Sequence, residues 1–539
     1  MLGDQGNIQG LQQPLLLEDA SAGDPNQDNA WLEEYSSKNI LKNILLSTSS
    51  LGVRGLVVAI HYAGTGLIMS SLGGTAAAAS SITTTVQGLI LSTSSGFLLS
   101  TGIALGAALT RPETLPVESI IKTSWAMTLI FGALTIGALN STKWTLPLIL
   151  NKEVADTASD YLKYFSVAAI PDLLIWNNGQ IIFQIEKNSW MPLLANVTYR
   201  FPALALSYYF GSTLAWGAKG VAFGSGVAGW ANVFLYQAWF SRAAYNAFNL
   251  YRLNIPDFKE QAIQFLSSGW KLSLQRITEW GNLAILAQII GHWSSQGLIA
   301  AQPSILLLNL CGLLSQGFGQ ASMMIATRDC KEMKEALADF EATGNRASLV
   351  KAEHLKAKNQ KNFYVSNIAG LGFNLLLAGT TYLARMPLLH LYAPEDTPES
   401  TVALAETLLW INALNLIPDA IRIVSGGVLR GWGDLLIPTL ASLFIMSGLG
   451  VAAGVAWGAE TDKSIEPLFI MRLITLLFAA GFNCVRFAGH TRRDEAEYQR
   501  VAALANDENW HPVARTLSIQ DVEETPMHQT FSFDSNVGK

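Results

Sequence analysis

Two pairs of ionisable residues interrupt apolar sequence in the C-terminal half: Arg276 with Glu279, and Asp419 with Arg422. A spacing of three puts both members on one helix face, so each pair can neutralise itself. The same two carboxylates, one of them directly after Pro418, also suit a different chemistry. Acids in a low-dielectric region ligate hard cations such as Na⁺, or load and release protons. Asn282, one turn after Glu279, and Asn415, one turn before Asp419, bring amide oxygens to such an ion. The N-terminal half offers Arg54, His61, Asp172 and Arg200. An ionisable group at the centre of a bilayer costs at least ~2.5 kcal/mol, so each of these needs a partner or a role.

The elements that hold these residues are apolar helices. The chain has 539 residues, 50% hydrophobic and 14% charged, against about 25% charged in an ordinary soluble domain. Stretches long enough for the roughly 20 residues of a bilayer crossing follow one another from residue 42 to residue 488. They predict an all-α integral membrane protein of about twelve spans: 42–70, 75–109, 117–140, 155–184, 190–212, 217–242, 260–290, 297–327, 361–384, 398–429, 435–458 and 466–488. Lys and Arg are divided about 22 to about 5 between the two sides of these spans, which by the positive-inside rule predicts both termini in the cytoplasm. Much of that bias comes from residues 328–361, with eight basic and six acidic side chains on a helix-like pattern that reads as a solvated helix or hairpin. The first forty residues are polar and do not read as a cleavable signal peptide, so the first span is expected to serve as the insertion signal. Cys311, Cys330 and Cys484 show no metal-ligand spacing and predict no disulfide framework.

The two halves repeat. Ile170-Pro171-Asp172 returns as Ile417-Pro418-Asp419, and Pro192-Leu193-Leu194-Ala195 as Pro438-Thr439-Leu440-Ala441, at offsets of 247 and 246. Six spans per half gives both halves one orientation, the parallel-repeat class of transporter architecture. The predicted organisation is a polar tail 1–40, an N-lobe 41–243, a linker 244–259, a C-lobe 260–490 containing the loop 328–361, and a disordered cytoplasmic tail 491–539. Pro14 to Asp19 and Asp521 to Glu524 have the composition of sorting or secretion signals.

The second span is polar for its depth, with Thr83, Thr84, Thr85, Gln87 and Ser92 to Ser95. Such residues face protein or water, so this helix lines a cavity or packs on small residues. Asp172, Arg276, Arg422, Gln87 and Trp280 are candidate cavity-lining residues. Trp176, Trp280 and Trp410 offer ring faces for organic cations, or anchor and pack helices.

The stretch Leu416-Ile417-Pro418-Asp419-Ala420, followed by Gly427-Val428-Leu429-Arg430-Gly431, Asp434 and Pro438, resembles the tenth helix of bacterial exporters of the MATE (multidrug and toxic compound extrusion) family, NorM-like members especially. Glu279-Trp280 followed by Gly297-Leu298-Ile299-Ala300-Ala301 is similar to the family segment that carries its C-lobe glutamate. The resemblance covers residues 40–490 and implies two six-helix lobes about a central V-shaped cavity, with Glu279 and Asp419 as cation-site acids. One departure is evident: where the family commonly has an aspartate in its first helix, this chain has Gly64 or Thr65. Coupling is therefore expected in the C-lobe.

These readings predict a secondary active antiporter, not an enzyme, in the plasma or inner membrane or an endomembrane. It would act as a monomer, exporting amphipathic organic cations, drugs or toxins in exchange for H⁺ or Na⁺. It needs no cofactor and no metal beyond Na⁺ at Glu279 and Asp419, and contacts lipid but no nucleic acid. A lipid-linked oligosaccharide flippase of the same superfamily is the alternative that basic cavity residues favour, and a nontransporting membrane effector or scaffold is another. Gly431-Trp432-Gly433-Asp434 matches a short protease pattern without the context of a second catalytic aspartate. The chain has no Gly-rich phosphate loop ending in Lys-Ser/Thr.

Overall fold

The computed structural model describes residues 37–110, 117–186, 190–237, 258–392 and 397–505. Among them are twelve long helical runs and no strand, one run for each predicted span. The first half contributes α1 (Ser37–Ser71), α2 (Gly74–Thr110), α3 (Val117–Thr145), α4 (Lys152–Glu186), α5 (Trp190–Tyr208) and α6 (Ala218–Asn232). The second contributes α7 (Phe258–Trp293), α8 (Ser295–Thr343), α9 (Arg346–Leu383), α10 (Glu399–Gly431), α11 (Leu436–Glu460) and α12 (Glu466–Leu504). Eight runs are long and apolar enough to cross a membrane by length and composition. Neither α4 nor α7 meets that measure, for a reason that matters below: they carry Asp172 and the Arg276–Glu279 pair in mid-helix.

Two compact units result. The larger comprises the chain through Thr327 together with Lys361–Phe487, and so holds both lobes. Its main core draws on both halves, from Met69 and Phe165 in the first to Ile290, Leu408 and Phe469 in the second. Close packing of α2 on α7 depends on glycine. A Cβ on Gly88 would lie 2.1 Å from the Trp280 ring, and one on Gly96 would lie 2.5 Å from the Ser273 Cα. The polar second helix is explained by the same packing. Ser273 Oγ donates to the Thr93 carbonyl (2.9 Å) and Ser81 Oγ to the Leu298 carbonyl (3.1 Å), while Thr85 and Thr93 turn back onto their own helix.

The smaller unit comprises, among the described residues, Arg328–Gln360 and 488–505. The predicted hairpin is present, with the α8 and α9 ends meeting at Gly344, whose φ of 70° suits glycine alone. Met333, Leu337, Phe340, Leu349, Tyr498 and Val501 form its core. Lys356 bonds Glu495 at 2.8 Å and Arg500 bonds Glu341 at 2.9 Å. The boundary of the C-terminal tail therefore moves: residues 491–504, expected as disordered, are helical because Tyr498 and Val501 have an apolar partner surface. The tail 1–36, the linker 244–257, Pro14 to Asp19 and Asp521 to Glu524 lie outside the described residues.

Candidate functional site

In the C-lobe, Glu279 is reached from three sides. Gln275 Nε2 donates to its Oε1 at 2.8 Å; Arg276 Nη1 and Gln316 Nε2 each donate to its Oε2 at 3.3 Å. Arg276 also donates to Gln316 Oε1 at 2.5 Å, and Arg430 to Gln275 Oε1 at 2.5 Å. The result is a chain of bonds from α10 through α7 to α8. It borders a small, partly open pocket lined by Gln275, Glu279, Arg422, Arg430, Thr439 and Asn483 among others. Asp419 accepts from Arg422 Nε at 2.8 Å and Nη2 at 2.7 Å. Both i,i+3 pairs seen in the sequence thus form.

The expected cage of two carboxylates and two amides does not. Asn282 accepts from Arg472 at 2.5 Å and donates to the Met446 carbonyl; Asn415 donates to Asn412 and towards the Phe469 carbonyl. Although each amide lies one turn from its carboxylate on the same helix face, Asn282 is engaged by α11 and α12, and Asn415 by Asn412 of its own helix and by α12. Sequence reasoning missed Gln275, Gln316, Arg430 and Arg472 as partners. Gln275 stands four residues before Glu279 and was discoverable by spacing. Arg430 lay within a quoted motif, whereas Gln316 and Arg472 carry no local signal. Asp434 accepts from Arg486 Nε at 2.6 Å, which gives the Gly-x-Gly-Asp aspartate a structural partner.

In the N-lobe, Asp172 on α4 pairs with Arg200 on α5. Pro171 removes one backbone donor, and the carbonyl left without its helical partner, that of Val167, accepts the Trp230 indole N–H at 3.1 Å. Arg54 on α1 stacks over Trp176 at 4.2 Å and Arg200 over Tyr199 at 4.4 Å. Two of the expected ring faces are therefore already used. Trp176 holds an internal cation, and Trp280 is buried against Gly88 with Tyr62 at 6.3 Å. Trp410 is half exposed beside Tyr382. Gln87 is buried at the Tyr62 hydroxyl.

No protein-family model matches the chain. Curated proteins do. A probable multidrug resistance protein NorM of Xanthomonas campestris is 22% identical over 480 residues, covering 85% of this chain and 98% of that protein. The multidrug resistance protein PmpM of Pseudomonas aeruginosa is 29% identical over 142 residues, which span 25% of this chain and 29% of that protein. Among solved structures, a MOP superfamily transporter from Pyrococcus furiosus, described for the reverse polarity of its binding pocket, superimposes with a TM-score of 0.67 at 14% identity over 85% of this chain and 97% of that one. The eukaryotic MATE transporter AtDTX14 follows at a TM-score of 0.65 and 15% identity over 86% of this chain and 99% of that one. These superpositions establish the fold.

Proposed function

We propose that the chain is a multi-pass membrane transporter of the MATE family, a reading its likeness to NorM proteins and to solved MATE transporters supports, and that it exports amphipathic organic drugs or toxins by secondary active antiport coupled at Glu279. The observation that carries this reading is the position of Glu279: a carboxylate on a partly open pocket, held by Arg276 and two glutamine amides. Protonation removes the charge that holds Arg276. The guanidinium then keeps only its bond to Gln316 Oε1, and a lobe with two arrangements of this pair would have the bistable element that alternating access requires. A proton suits this site better than Na⁺. The groups around Glu279 present N–H donors, two guanidiniums lie close by, and Na⁺ would need several oxygen ligands in their place.

The driving force is sufficient. One elementary charge falling through 100 mV releases ~2.3 kcal/mol, and one pH unit adds ~1.4 kcal/mol. One proton therefore sustains roughly a 500-fold gradient of a neutral substrate. We take both termini to face the cytoplasm, from the Lys and Arg distribution. A cysteine at the exposed Glu335, in a background without other cysteines, should then be labelled only from inside.

The test is efflux of a fluorescent dye from liposomes carrying the purified chain, with pH and Na⁺ gradients imposed separately. Transport should follow the pH gradient and vanish in Glu279→Gln with folding retained. Indifference to both gradients would overturn antiport; movement of lipid-linked sugars alone would select the flippase, and no movement at all the scaffold.

A further inference from the structure

Taking the chain as a transporter, we propose that the N-lobe interior holds an oxyanion site, where Arg54 and Arg200 bind the carboxylate, sulfonate or phosphate group of an amphipathic substrate. Arg54 is 6% exposed and Arg200 5%. Arg200 gives one Nη to Asp172, but its Nε and other Nη have no partner, and neither do Arg54 Nε and Nη2, Trp176 Nε1 or the Tyr199 hydroxyl. Six buried donor atoms thus lie unpaired on four neighbouring side chains, and Asp172, the carboxylate beside them among the described residues, is already engaged. Buried donors without acceptors are strongly unfavourable, and most of all on charged groups.

Water answers only half of this. It can accept the hydrogen bonds, but two guanidiniums against one carboxylate leave a positive charge that water in a low-dielectric interior does not neutralise. An oxyanion does both. The guanidiniums of Arg54 and Arg200 also lie over the Trp176 and Tyr199 rings, and a guanidinium's forked donors suit planar or tetrahedral oxyanions.

Comparison with the C-lobe pair supplies a second argument. Arg276 meets Glu279 at a spacing of three on α7, and the same spacing from Arg54 on α1 falls on Val57. The C-lobe arginine carries its own counter-ion three residues on. In the N-lobe that position is a buried valine, so Arg54 is left for a guest.

Binding is read by fluorescence anisotropy on the purified full chain in nanodiscs. The probes are carboxyfluorescein as a soluble organic anion, fluorescently labelled phosphatidic acid as a lipid headgroup, and rhodamine 6G as a cation. At least one anion should bind, and Arg54→Gln should weaken it tenfold or more while leaving rhodamine 6G unchanged. Carboxyfluorescein alone would assign a soluble substrate and phosphatidic acid alone a lipid. Because Arg200→Gln strands Asp172, the second guanidinium is removed together with it as Asp172→Asn/Arg200→Gln, which should weaken the same anion. Arg54→Gln strands nothing and should raise the melting temperature of the unliganded protein. If neither anion binds, or if Arg54→Gln leaves anion binding unchanged, the site is wrong. If anion binding depends on Arg54 but no gradient moves any probe through proteoliposomes, the site stands and the transport reading falls.

Discussion

The two lobes solve the same problem with opposite economies of sequence. In the C-lobe each acid meets its arginine three residues away on its own helix, Glu279 with Arg276 and Asp419 with Arg422. In the N-lobe Asp172 meets Arg200 across α4 and α5, and Arg54 forms no ion pair among the described residues. A pair on one helix survives rearrangement of the helices around it. A pair between helices ties them together. Under the proposed roles, the C-lobe changes the protonation of a pair and the N-lobe accepts an anion.

The largest test of this contrast is removal of each aspartate. Asp172→Asn leaves Arg200 without the carboxylate that ties α4 to α5, whereas Asp419→Asn strands Arg422, which Glu279 still attracts. Breaking a buried pair costs ~3–5 kcal/mol, so Asp172→Asn should sit at the upper end or fail to fold. Melting temperatures of the purified variants measure this, and equal losses would erase the distinction between the lobes.

A somewhat smaller effect probes the frame that keeps the C-lobe pairs local. A Cβ on Gly427 would fall 2.2 Å from the Gly319 carbonyl oxygen, while on the adjacent Gly426 the nearest atom is the Asn483 amide at 3.5 Å. Gly427→Ala should destabilise by about 1–3 kcal/mol through forced separation of α8 and α10. Gly426→Ala should be nearly neutral by the same thermal measurement.

Val57→Glu sharpens the comparison by making the N-lobe imitate the C-lobe. The new carboxylate should pair with Arg54, abolish anion binding in the nanodisc assay and leave the melting temperature unchanged or higher. Failure to fold would mean that α1 and α7 are not equivalent around these residues.

The smallest effect lies in the helical unit formed by 328–360 and 488–504. Burial holds the Asp494 carboxyl up at about 6, above its ordinary 3.8, against the opposing pull of His490, Lys334 and Lys356, with Glu497 adding to the rise. A raised value means that folding favours the protonated form, so this contribution is full below 3.8 and is lost as pH rises through about 6. Asp494→Asn should therefore slow proteolysis of this unit at pH 7.5 and make its protection less dependent on pH. A steeper pH dependence in the variant would contradict the assignment.

What could be read from sequence was what local chemistry controls. Twelve spans followed from runs of apolar residues, because the bilayer imposes the length of each helix independently of its neighbours. The hairpin at 328–361 followed from its charge pattern, and both C-lobe pairs from a spacing of three. The helical character of 491–504 was not legible, since the polar segment gains its order from a surface contributed by residues some 150 positions earlier. Nor were the partners of Asn282 and Asn415, of Arg200 or of Trp176. Each lies on another helix, and which helix faces which depends on glycine crossings such as Gly88 at Trp280 and Gly427 at Gly319. The sequence by itself determined the helices, their repeat and the self-neutralising pairs, because bilayer length and a 3.6-residue turn act within one segment. Only the tertiary structure decided that Arg54 forms no ion pair among the described residues and that Glu279 borders a pocket, because both depend on the side chains that distant helices bring into contact.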